Sequence, residues 1–106
     1  MRRIYLDTIG LLALWNGRDQ WHEAASHALS ELTAAGAEFW TSSHVLLECG
    51  NAAARTPFRT EVVDLREHLR ADGKLIVPTE EDIAAAWDAY STTALYSLKN
   101  PGGVGR

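Results

Sequence analysis

Two carboxylates in this chain stand where charge is seldom placed. Asp7 follows the apolar run "RIYL" and precedes the apolar run "TIGLLALW". Glu48 lies within "TSSHVLLECGNAAAR", residues 41 to 55, among Val45, Leu46, Cys49, Ala52 and Ala53. On a helix His44, Glu48, Asn51 and Arg55 are spaced i, i+4, i+7 and i+11 and share one polar stripe. Each acid alone has an ordinary reading, Asp7 as a helix cap and the stripe as a solvated face. Together they point to chemistry. An Asp at the end of a first strand and a Glu one turn into the helix after a second strand converge at the top of a parallel sheet, where functional groups gather. Hard oxygen ligands there suit Mg²⁺ or Mn²⁺, which keep waters and bind phosphate oxygens. The chemistry this suggests is metal-assisted phosphodiester hydrolysis, with the metal activating water and stabilising charge on the phosphorus oxygens.

The elements that must position these acids follow from pattern. "RIYL" (3 to 6), "EFWT" (38 to 41) and "KLIV" (74 to 77) read as strands, β-branched or aromatic and short. Thr8 is placed to cap a short helix through Leu14, stopped by Asn16-Gly17. Trp21, Ala24, Ala25, Ala28, Leu29 and Leu32 form one face of a second helix between Asp19 and Gly36. Ser42 or Ser43 caps a third helix reaching about Arg55. Pro57 opens a fourth, with Phe58, Val62, Leu65 and Leu69 as its stripe and Asp72-Gly73 as its end. Thr79 and Asp82 resemble a capping box before a fifth helix with Ile83, Trp87, Tyr90 and Ala94 along one side. Strands alternating with helices predict an α/β fold with a parallel sheet, its strands joined by crossovers.

Composition narrows the classes. At 106 residues and 46% apolar, with four Trp expected to fill the interior, this is at most one domain with a packed core. The single Cys49 excludes an internal disulfide and is expected to be a small buried hydrophobe. No apolar run is long enough for a membrane span, so no membrane partner is expected. Met1-Arg2-Arg3 begins like a secretory signal, but Asp7 interrupts the segment, and the expected location is cytoplasmic. The net charge of −4 gives no global pull toward nucleic acid. Eight of the ten basic residues are nevertheless Arg, and a local anion site remains open around Arg55 and Arg59, whereas Arg66 and Arg70 read as partners of Glu61, Asp64 and Glu67. The four His are isolated on their helices, and no nucleophile motif or P-loop is present.

The segments "YLDTIGLLALWNGRDQWHEAA", "TSSHVLLECGNAAAR" and "PFR" resemble the PIN-domain family, and most of all its VapC-like ribonuclease toxins of bacterial toxin–antitoxin pairs. The likeness covers about residues 3 to 100, so a PIN-like domain over 1–100 and a Gly-rich tail over 101–106 are expected. It implies a parallel sheet with helices on both faces and acids that bind Mg²⁺ or Mn²⁺ to cut RNA. Asp7 matches the first acid and Glu48 the second, as catalytic residues and metal ligands. Asp19 and His22 match a recurrent feature assigned to structure, and Thr8, Ser42, Asn51 and Arg55 are polar neighbours suited to hold the acids or the RNA. "YSLKN" aligns with the family's S-L-x-D stretch, which puts Asn100 at the position of a third acidic ligand and implies weaker metal binding and activity. The family continues beyond that stretch, so the resemblance implies a sheet lacking its final strands. Implied partners are RNA, a cognate antitoxin protein, and a second copy of the chain in a homodimer or larger assembly. The alternative is a truncated, non-catalytic PIN-like protein that acts by partner binding or dimerisation.

Overall fold

The computed structural model describes residues 2–92. Within them the order is β1 (Arg3–Tyr5), α1 (Thr8–Trp15), α2 (His22–Ala34), β2 (Glu38–Ser42), α3 (Ser43–Ala53), α4 (Arg59–Ala71), β3 (Leu75–Ile76) and α5 (Glu80–Thr92). The fold is α/β, with a three-stranded sheet in the order β1-β2-β3. Both pairings are parallel, Ile4 lying opposite Phe39 and Thr41 opposite Leu75. The connections carry helices, as parallel neighbours require. β1 and β3 are shorter than their sequence patterns. Leu6 still donates its N–H to the Trp40 carbonyl at 2.8 Å, but the chain then turns at Asp7 into α1. Pro78, just beyond the end of β3, has no N–H to extend a ladder.

Local chemistry sets the helix ends. Asp7, not Thr8, caps α1: its backbone is extended and its side chain accepts the Gly10 N–H, leaving Thr8 as the first helical residue. Ser42 does the same for α3 by accepting the Val45 N–H at 3.2 Å. α2 and α4 end alike, with Gly36 and Gly73 at φ 79 and 70. Beyond these glycines Ala37 N–H bonds to Leu32 O at 3.0 Å and Lys74 N–H to Leu69 O at 2.8 Å, the six-residue closure that turns each helix toward a strand. At α5, Thr79 N–H donates to Asp82 Oδ2 at 2.9 Å and Asp82 N–H to Thr79 Oγ1 at 3.1 Å, a reciprocal box with Asp in the usual Glu position.

The core gathers around Leu11 of α1, Cys49 and Ala53 of α3, and Val62 of α4, with Leu6, Trp15, Val45, Phe58 and Leu65 packed on it. Small side chains at 49 and 53 allow α1 to approach α3 closely, and burying Leu11 contributes about 2 kcal/mol. The tryptophans fill this interior only in part, through Trp15. Trp15 and Trp40 are half-buried, whereas Trp21 and Trp87 are 60% and 65% exposed. Trp21 stands at the cap of α2 rather than within its packed face, and α5 buries no residue, so Trp87 meets only Tyr90 edge-on at 5.8 Å among the rings described. α2 is likewise shallow, presenting half-buried Ala25, Leu29 and Leu32 while Ala24 and Ala28 stay exposed. Among the described residues, no helix is long and apolar enough to cross a membrane.

Candidate functional site

Asp7 is placed by the strand beside it. Thr41 is 2% exposed and donates its hydroxyl to the Leu6 carbonyl at 2.7 Å, so Leu6 is held through its N–H and its C=O by adjacent residues of β2. The chain therefore leaves the sheet in a fixed direction, and the next side chain folds back over α1. Asp7 Oδ1 accepts the Gly10 N–H at 2.7 Å, a charge-assisted bond at a helix N-terminus. Gly10 makes this geometry possible: a Cβ there would lie 2.8 Å from Asp7 Oδ1.

Glu48 reaches the same place from the second turn of α3. Thr8 Oγ1 donates to Glu48 Oε1 at 3.0 Å, joining residues 40 positions apart. Cys49, fully buried behind them, reports the same convergence. Burial pushes its thiol pKa up, the charges of Glu48 and then Asp7 push the same way, and the Thr8 hydroxyl opposes them by hydrogen bonding. Glu48 is the sequence neighbour of Cys49, but Asp7 acts on it only through the fold.

Asp7 Oδ2 and Glu48 Oε2 accept no hydrogen bond among the described residues, and both side chains belong to exposed residues. Two such carboxylates suit a hard divalent ion that keeps most of its water and takes further oxygens from a phosphate. Among the described residues, no group of three or more His, Cys, Asp or Glu side chains gathers as a ligand set. Asn100, placed by the resemblance as a further ligand, lies outside the described residues.

The polar neighbours separate. Thr8 alone touches an acid. Ser42 spends its hydroxyl capping α3. Asn51 is exposed and makes no side-chain hydrogen bond among the described residues. α3 stops at Ala53, where Thr56 N–H and Oγ1 both bond to the Ala53 carbonyl, so Arg55 leaves the helical stripe. It lines a cleft of about 920 Å³ with Arg18, at the opposite end of α1 from Asp7. Asp19 and His22 make local bonds: Asp19 accepts the Trp21 N–H at 2.8 Å, and His22 Nδ1 lies 2.9 Å from the Ala13 carbonyl. Arg66 and Arg70 both pair with Glu67, at 3.2 and 3.3 Å.

Three contributors were not recognised from sequence. Gly10 carried a signal, an isolated glycine in the first turn of an apolar helix. Thr41 and Arg18 carried none, because their partners come from other elements. Comparison of the chain with protein-family models, with curated proteins and with solved structures gives no match.

Proposed function

We propose that this chain is a PIN-type, Mg²⁺- or Mn²⁺-dependent ribonuclease, with Asp7 and Glu48 as the acids that hold the ion. The observation that supports it most is the bond from Thr8 to Glu48 beside Asp7, which brings acids from two separate elements to one strand end. When bound, the ion supplies an activated water and neutralises charge on the phosphate. The protein's part is positional. Gly10 holds one oxygen of Asp7 and Thr8 holds one oxygen of Glu48, so each carboxylate keeps its other oxygen available. Within this reading the helices flank both faces of the sheet, the RNA is the substrate, and the enzyme is a cytoplasmic toxin held by a small antitoxin and assembled as a homodimer or larger.

A metal titration combined with an RNA cleavage assay tests it. The protein should cleave RNA with Mn²⁺ or Mg²⁺, lose cleavage in EDTA, and lose it in Asp7→Asn and Glu48→Gln. Absence of metal-dependent cleavage by the unaltered chain overturns the reading. A second reading, a non-catalytic binding protein, is favoured by α5, which buries no residue and leaves Trp87 exposed beside Ile83 and Tyr90.

A further inference from the structure

The cleft at the far end of α1 has a volume of about 920 Å³, and neither Asp7 nor Glu48 lines it. Two loops build it. Arg18 comes from the turn after α1 and Arg55 from the turn after α3, with Asn16 and Thr56 beside them and Trp15 and Phe58 in the lining. The turns are set by their own bonds: Asn16 Oδ1 accepts the Arg18 N–H at 3.0 Å, and Thr56 Oγ1 donates to Ala53 O at 2.8 Å. Trp15 and Phe58 are half-buried and pack on the core cluster, so the rings are anchored on a rigid base while they line the cleft.

The charge is unspent. Neither Arg18 nor Arg55 forms an ion pair among the described residues, although Glu61 also lines the cleft, whereas Arg66 and Arg70 are both paired. Guanidinium forks match phosphate oxygens, and aromatic faces offer a stacking surface to an unpaired base. An acidic peptide would use the arginines but leave the rings without a flat partner.

We propose that this cleft binds single-stranded RNA, with Arg18 and Arg55 on the phosphates and Trp15 or Phe58 under a base. It rests on the ribonuclease reading for the class of ligand, but its binding needs neither the acids nor a metal. α1 separates the two ends by about 12 Å at the usual helical rise of about 1.5 Å per residue. A strand running along α1 therefore reaches both, with the arginines gripping RNA to one side of the bond at the acids.

The test uses the full chain, a fluorescein-labelled hexaribonucleotide, EDTA to prevent cleavage, and anisotropy over a KCl series. Arg18→Gln/Arg55→Gln should weaken binding about tenfold or more, and the slope of log affinity against log salt should fall by about 1.4, near 0.7 for each lost phosphate contact. Arg66→Gln/Arg70→Gln should stay within about twofold, because those arginines face Glu67. Circular dichroism confirms that each variant is folded. The proposal is overturned by absence of RNA binding, by equal losses in the two double variants, or by an acidic aromatic peptide that binds through Arg18 and Arg55 where RNA does not. Cleavage is scored separately. Arginine-dependent binding with no metal-dependent cleavage upholds the cleft and removes the ribonuclease reading, and cleavage with arginine-independent binding does the reverse.

Discussion

The two ends of α1 differ in charge and in how their charged groups are held. At the start of the helix, Asp7 and Glu48 each have one oxygen fixed by a partner in the same chain, Gly10 N–H and Thr8 Oγ1. At its end, Arg18 and Arg55 sit on ordered turns with no ion-pair partner among the described residues. Two carboxylates brought together repel one another, so their geometry has to be imposed by the backbone and by donors. Two arginines that grip a flexible strand need only an anchored stem, since the ligand supplies the order. One end holds its charged groups in place through bonds within the chain, and the other leaves its charged groups without an ion-pair partner among the described residues.

The largest expected effect comes from the segment both ends share. Leu11→Ala should cost about 2–5 kcal/mol, because its side chain is 3% exposed against Cys49, Ala53 and Val62. Urea denaturation measures it, and cleavage and RNA binding should fail together with the fold. Asp7→Asn separates chemistry from stability. Asn caps a helix about as well as Asp, so stability should shift by no more than about 0.5 kcal/mol. Cleavage should nevertheless fall about a hundredfold, since a charged ligand is lost. Unchanged cleavage with lowered stability would reduce Asp7 to a cap.

Gly10→Ala probes the same carboxylate without touching it. Helix propensity favours Ala by up to about 1 kcal/mol, but the new Cβ forces Asp7 Oδ1 aside. Cleavage should drop about tenfold with little loss of melting temperature, a smaller effect than that of removing the charge. Equal cleavage by this variant would mean that the position of Asp7 Oδ1 is immaterial. Ser42→Ala should cost about 1 kcal/mol in chemical denaturation and leave turnover per folded molecule unchanged, since its hydroxyl holds α3 rather than a substrate.

The smallest effect is alkaline. With the Cys49 thiol pKa raised in the fold, the native state holds more protons than the unfolded chain once pH exceeds the ordinary thiol value of about 8.5. This contribution therefore lowers stability as pH rises above that value, until the folded thiol itself ionises. Cys49→Ala should flatten that part of the stability–pH curve. An unchanged alkaline slope in the variant would assign it to other groups.

Much of the acid end was legible in the chain. A carboxylate between two apolar runs, and a polar stripe on a helix with an apolar back, are local patterns, and both acids were singled out from them. The arginine end was not. Arg55 was read as part of the α3 stripe because spacing carries no information on where a helix stops, and it is the Thr56 bonds to Ala53 that turn it away. The tryptophans misled in part for a related reason: large apolar residues predict burial on average, but Trp21 stands at the cap of α2 and Trp87 lies on α5, and neither helix has a fully buried residue among those described.

What the sequence by itself determined is short-range. Strand and helix identities, a serine cap for α3 at 42 or 43, the capping box at Thr79, the glycine stops at Gly36 and Gly73 and the crossover logic of a parallel sheet all depend on neighbours within a few positions. The tertiary structure alone decided which distant groups meet: Thr8 with Glu48, Thr41 with Leu6, and Arg18 with Arg55 across one cleft. Those meetings depend on how closely α1 approaches α3 and on the register of β1 against β2, and both are set by packing of the whole core, which no local stretch of sequence contains.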